Sequence, residues 1–176
     1  MKSSKSAARY AKALLELALD QNKVEVIESN VAQLIALSAE AHDFHVFLNS
    51  PLIQIDKKIA VIQSIFKDFD PSTLSFLELV TTNGREAAMI EIAQQFMAQL
   101  KAHRGIVPVT LISATQLDET TKKDIVAKIQ KAINGTLELT EEIDANLIGG
   151  FIVRMGDQQI DASVANQLKR MKQQFV

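Results

Sequence analysis

Residues 89–114 read MIEIAQQFMAQLKAHRGIVPVTLISA, and the hydrophobic period changes inside them. Before Gly105, Met89, Ala93, Phe96 and Leu100 recur at steps of three and four, which puts one apolar stripe on a helix that stops at the glycine. After it, residues 106–114 are β-branched and continuously apolar, which suits a strand. Pro108 has no amide hydrogen to give a ladder, so it must sit at an edge or near the strand's start. A helical part therefore ends at residue 105 and a mixed part begins at residue 106.

Working back from this junction, the chain reads as helix after helix. Asp70-Pro71 is a cap followed by proline at the first helical position, and Asn83-Gly84 closes the short helix it opens. Ile59, Ile62 and Phe66 mark another helix, for which Asp56 is the candidate cap. A short piece over residues 43–48 breaks at Asn49-Ser50-Pro51. Val24, Ile27, Val31 and Leu34 share one face of a further helix, and Ser4 or Ser6 caps a first one that runs to about Asp20, with Asn22 near its end. Six short helices with short connections predict an antiparallel bundle over residues 1–105.

Working forward, Asp118 caps a helix that runs to Asn134 and is ended by Gly135. Residues 136–143 alternate, with Leu137 and Leu139 on one face and Glu138 and Thr140 on the other. Residues 150–155 and 158–161 flank Gly156-Asp157, a hairpin turn with glycine at its first central position. A last helix puts Val164, Leu168, Met171 and Phe175 on one stripe. The fold class expected is mainly α with a small α+β part: a six-helix bundle over 1–105, then an α+β domain over 106–176.

Composition narrows the functional classes. Of 176 residues, 47% are hydrophobic and 23% charged, ordinary values for a globular protein with a core in each of two domains. The net charge of −2 is shared almost equally by the two parts, so the basic face of a nucleic-acid binder is missing. One tyrosine and no tryptophan leave little for base stacking. The absence of cysteine excludes thiolate nucleophiles, thiolate metal sites and disulfides. No stretch approaches the roughly 18 apolar residues of a membrane span, and the first residues carry no signal-peptide pattern. Membrane association is expected only through a partner.

Catalytic motifs are equally scarce. His42 and His45 stand at i and i+3, but two imidazoles are too few for a closed zinc site. Two surface histidines at a helix end is the simpler reading. His103 falls in the last turn of a helix, where a cation suits the dipole. Glu138, Glu141, Glu142 and Asp144 lack the loop spacing of a calcium site and read as a solvated strand end. Gly149-Gly150 precedes a strand rather than a helix, so it is no phosphate-cradling loop. We expect no catalytic residue, no cofactor and no metal.

The first helix is apolar around much of its circumference. Ala7, Tyr10, Ala11, Leu14, Leu17 and Ala18 form one wide stripe, Ala8, Leu15 and Leu19 occupy another side, and Arg9, Lys12, Glu16 and Asp20 face water. A bundle helix needs one apolar face. The second fits either a central position in the bundle or a surface that receives a partner helix.

The segments Ala8-Arg9-Tyr10-Ala11-Lys12-Ala13-Leu14, Asn49-Ser50-Pro51 with Lys57-Lys58, Asn83-Gly84-Arg85 and residues 102–114 are familiar. So is the run Asp144-Ala145-Asn146-Leu147-Ile148-Gly149-Gly150-Phe151 through Gly156-Asp157 to Ile160-Asp161-Ala162-Ser163-Val164 and Leu168. Together they resemble, end to end, the delta-subunit family of F-type ATP synthases, which includes the mitochondrial oligomycin-sensitivity-conferring protein. Ala162 and Asn146 depart mildly from a family that commonly has glycine and serine there.

The resemblance implies a non-catalytic stator subunit in the peripheral stalk, one copy per complex, at the cytoplasmic face of a bacterial inner membrane. It implies that the bundle grips N-terminal segments of alpha subunits in a groove between its first and fifth helices. Tyr10, Ala11, Leu14 and Leu17 are the candidates on the first helix, and Phe76, Leu77 and Val80 on the fifth, facing either the groove or the core. It further implies that the C-terminal domain meets the C-terminal ends of b-type stalk subunits, with Gly149, Gly150, Lys169, Arg170 and Lys172 as candidates. The three cations oppose the acidic run 138–144 in sign, and either pair with it or meet the stalk. A helical adaptor unrelated to energy coupling, a metal enzyme resting on His42 and His45, and an RNA-binding domain are the rivals.

Overall fold

The computed structural model describes residues 5–115, 118–132, 135–156 and 158–174. Its contacts divide the chain into two compact units, Met1–Leu100 and Lys101–Val176. The chain is mainly helical, with one small four-stranded sheet. In order come Lys5–Asp20 (α1), Val24–Glu40 (α2), His42–Asn49 (α3), Ile55–Ile65 (α4), Pro71–Thr82 (α5), a turn of 3-10 helix at Glu86–Ala88, and Met89–His103 (α6). Then follow Ile106–Ser113 (β1), Glu119–Ala132 (α7), Thr136–Ile143 (β2), Phe151–Met155 (β3), Gln158–Asp161 (β4) and Val164–Gln174 (α8).

Local chemistry sets the helix ends. Asp70 caps α5: its Oδ1 accepts from the Ser72 amide at 2.9 Å, and Pro71 occupies the first turn. Gly84, at φ 64°, closes the same helix, with Arg85 N–H donating to Val80 O at 3.0 Å and Gly84 N–H to Thr81 O at 2.9 Å. The same paired bonds end α1, where Asn22 takes φ 55° and Lys23 N–H reaches Ala18 O at 2.9 Å. Of the caps expected at α1 and α4, only the second is corrected. Ser6 lies inside α1, and Ser4 lies outside the described residues. Asp56 falls in the first turn of α4 behind Gln54, where its charge serves the helix dipole instead of a cap bond.

Ala7, Ala11, Leu14, Leu15 and Ala18 turn one face of α1 into the core. They pack in one buried cluster with Ile27 and Val31 of α2, Phe44 and Leu48 of α3, Ile62 of α4, Leu77 and Val80 of α5 and Phe96 and Leu100 of α6. Full burial of each large side chain contributes about 1.5–3 kcal/mol. One charge lies among them. Lys58 Nζ, 3% exposed, donates to Leu48 O at 3.0 Å and to Glu86 Oε1 at 2.7 Å, linking α3, α4 and the 3-10 turn. Burial pushes the Glu86 carboxyl up, but the Lys58 hydrogen bond, a backbone hydrogen bond and the Lys58 charge together hold it below its ordinary value.

In the second unit the sheet order is β2-β1-β3-β4, with β1 parallel to β2 and antiparallel to β3. Helix α7 makes the crossover from β1 to β2, as parallel pairing demands. Pro108 pairs opposite Glu138 of β2, whereas pairing with β3 begins only at Val109, so the missing amide hydrogen falls before the strand becomes central. The strand stops at Ser113, one residue short of expectation. Val109, Leu111 and Val153 meet Ile125 and Ile129 of α7 in a small core. Met155 lies opposite Gln158 across the β3–β4 hairpin, with Gly156 at φ 54°; Asp157 and the helix-ending Asn134 lie outside the described residues.

Candidate protein-binding groove

Between α1 and α5 runs an open groove of about 370 Å³, lined by Leu17 and Gln21 on one side and by Pro71, Ser72, Ser75, Phe76 and Leu79 on the other. None of these side chains is charged. Leu17 and Leu79 are 36% and 53% exposed, large apolar groups left to solvent on facing helices. Along α5, Ser72, Ser75, Phe76 and Leu79 recur at steps of three and four, so one helix face supplies the wall. The half-buried Tyr10 ring meets Phe76 edge to face, with centroids 6.5 Å apart and planes at 71°.

The seven residues expected to face a partner divide. Tyr10, Leu17 and Phe76 reach the surface beside or within the groove. Ala11, Leu14, Leu77 and Val80 are core residues, at most 3% exposed, because each lies on the face its helix turns inward. Their side chains lie in the core and are not among those that line the groove. Leu79, Gln21, Ser72 and Ser75 were not anticipated. The i, i+3 pair Phe76 and Leu79, beside a face already filled by Leu77 and Val80, was the available signal.

One end of the groove is polar. Ser72 Oγ donates to Gln21 Oε1 at 2.6 Å, a bond between residues 51 apart in sequence that joins the two walls. Behind it, Lys23 Nζ donates to Asp70 Oδ2 at 2.9 Å, while Asp70 Oδ1 holds the Ser72 amide. The Lys23 ammonium, followed by the Ser72 amide, holds the Asp70 carboxyl below its ordinary value.

The C-terminal candidates occupy a different setting. Gly150 stands at φ 80°, and a Cβ there would lie 2.5 Å from Ala162 O, so only glycine lets the β3 entry pass the β4–α8 connection. Gly149 O accepts from Val164 N–H at 3.0 Å and so helps seat the start of α8. Lys169, Arg170 and Lys172 are exposed on α8. The acidic strand end is served elsewhere: Glu138 pairs with Lys101 at 2.7 Å, and Glu141 pairs with Lys122. The stripe read into α8 faces water, with Leu168 59% exposed and Val164 and Met171 also exposed; Phe175 lies outside the described residues. Beside it, a larger apolar opening of about 410 Å³ separates α7 from β3 and β4, lined by Ile125, Ile129, Phe151, Val153, Met155 and Ile160 among others.

His45 is half-buried on α3 and His103 ends α6, while nothing is described of the His42 side chain. Among the described residues no three His, Asp or Glu side chains converge as metal ligands would, and no helix is long and apolar enough to cross a membrane.

The family model described as ATP synthase delta (OSCP) subunit matches residues 7–175. A protein of Cytophaga hutchinsonii named ATP synthase subunit delta is 32% identical over 176 residues, spanning 99% of this chain and 96% of its own. One of the same name from Moorella thermoacetica is 34% identical over 167 residues, spanning 93% and 92%. Among solved structures, a chain of the Toxoplasma gondii mitochondrial ATP synthase hexamer superposes with a TM-score of 0.73 at 25% identity over 98% of both chains.

Proposed function

Because the chain belongs to the ATP synthase delta (OSCP) subunit family, we propose that it is the peripheral-stalk connector of an F-type ATP synthase. In this reading its six N-terminal helices act as one bundle that binds an N-terminal segment of an alpha subunit, and its α+β unit binds the C-terminal ends of the b-type stalk subunits. It catalyses nothing itself. It serves in one copy per complex at the cytoplasmic face of the bacterial inner membrane, held there through its partners.

The observation that carries this reading is the open, uncharged α1–α5 groove in a chain that matches the family from residue 7 to residue 175. An amphipathic segment laid into such a groove buries its apolar side against Leu17, Phe76 and Leu79. A stator must resist torque without letting go, so slow dissociation matters more than fast association. Interfaces of standard size bury about 800 Å² per partner, and a few anchors carry most of the energy. Tyr10, an apolar ring with a polar tip set against Phe76, is such an anchor. On the second unit, the uncovered α8 stripe and the exposed cations Lys169, Arg170 and Lys172 support a meeting with stalk helices.

The test is calorimetric titration of the full chain with a synthetic peptide of the host's alpha-subunit N terminus. One-to-one binding is expected, weakened about tenfold or more by Tyr10→Ala, as for a hot-spot residue, with the helical circular dichroism unchanged. A folded chain that ignores the peptide refutes the groove assignment.

A further inference from the structure

The bonds at the polar end of the groove join two segments that are separate in sequence: the α1–α2 turn and the start of α5. Each attachment stands on fixed backbone. Gln21 and Lys23 flank Asn22, whose left-handed turn is tied by Lys23 N–H to Ala18 O. Ser72 lies in the first turn of α5, one residue past Pro71. Asp70 spends its two oxygens separately, one on the helix it caps and one on Lys23 across the gap, and its side chain is only 12% exposed. A free cap needs no such second bond, and an ordinary surface ion pair leaves both partners in water.

Resting on the groove reading above, we propose that Gln21, Lys23, Asp70 and Ser72 are positioning residues that fix the distance between the groove's two walls at this end, so that the groove is formed before its partner arrives. The physical gain is preorganisation: a groove already at its bound width loses less side-chain and backbone freedom when the partner docks. The tie lies mostly on solvated groups, so its removal leaves water to satisfy Gln21 and Ser72. Its loss is therefore read in affinity and local opening more than in global stability.

The experiment uses the full chain with Gln21→Ala, Ser72→Ala, the double variant, Lys23→Met and Ser72→Thr. Two readouts are taken: titration with the synthetic alpha-subunit peptide, and amide hydrogen exchange across residues 71–79 of the free chain. Each alanine variant and Lys23→Met is expected to weaken the peptide about fivefold, the effect of one hydrogen bond. The double variant is expected to be no weaker than either single, because both act through one bond. Ser72→Thr, which keeps the hydroxyl, should bind more tightly than Ser72→Ala. In the alanine variants the first turns of α5 should exchange faster while α6 stays protected.

Variants that bind as tightly as a binding parent overturn the proposal, and so does an additive double variant, which marks direct contact with the peptide. Unchanged exchange at the start of α5 also overturns it, whatever the peptide does. A parent that ignores the peptide while its variants show faster exchange at α5 removes the groove's assignment and leaves the tie between the walls standing.

Discussion

In the N-terminal unit every helix sends side chains into one core, from Ala7 and Leu14 through Phe44 and Ile62 to Phe96 and Leu100. In the C-terminal unit the core is Val109, Leu111, Ile125, Ile129 and Val153, while the apolar stripe of α8 and Ile148 and Ile160 stay in water. The first unit buries most of its large apolar side chains and leaves scattered ones such as Val46, Leu52 and Ile65 exposed besides the groove; the second leaves a whole helix face exposed beside a core of few side chains. Burial is worth about 25 cal/mol per Å² of apolar surface, so the second unit has the larger unused share of stabilisation. A unit that is finished without its partner can offer a rigid seat. A unit that is unfinished gains most from being covered, which suits a permanent attachment.

The contrast is sharpest at Phe96, which has no exposed surface. Phe96→Ala is expected to lower the urea-derived unfolding free energy by about 3–5 kcal/mol, the transfer term plus the cavity it leaves. Next in size is Gly150→Ala, expected to cost roughly 1–3 kcal/mol because the new methyl meets backbone at a left-handed position. That loss should appear in the transition of the second unit, followed by hydrogen exchange in β3, with α6 unaffected. Asp70→Ala removes the α5 cap and should cost about 1 kcal/mol by the same denaturation.

Acid makes a finer test of the same site. Asp70 titrates below its ordinary 3.8 when folded, so its contribution is complete above that value and fades as the pH falls toward the folded value. Asp70→Asn keeps a capping side chain but loses the charge. The stability difference between parent and variant should therefore hold from neutral pH down to about 3.8 and close below it. The smallest effect is expected at Leu168→Ala on the exposed stripe of α8, within about 0.5 kcal/mol in the free chain. A loss of the size seen at Phe96 would mean that α8 is packed in solution, and the contrast between the units would collapse.

Much of this architecture was legible in the residues, and the reasons differ by element. Asp70-Pro71 and Asn83-Gly84 announce the ends of α5 because capping and left-handed closure are local events. The change of period at Gly105 marks the step from α6 to β1 for the same reason. Asp56 misled because Gln54 opens the helix two residues earlier with no side-chain bond to mark it. In α1, apolar residues on several sides hide which face turns inward. Only the packed structure separates Leu14 and Leu15, in the core, from Leu17 at the groove. The tie from Gln21 to Ser72 spans 51 residues and has no local signature at all. The stripe on α8 could be read, but nothing in a single sequence says whether a stripe is covered by its own chain or by another.

If the α1–α5 groove holds the alpha-subunit segment as proposed, a cysteine introduced into this cysteine-free chain will report it. Leu79→Cys, at the exposed lip of the groove, introduces a single thiol for a short photo-cross-linker in the assembled ATP synthase. An adduct with the N-terminal segment of an alpha subunit is expected, identified by mass spectrometry of the joined peptides. An adduct from Leu79→Cys to a stalk subunit, or none where Leu168→Cys in the same complex does cross-link, would contradict the groove assignment.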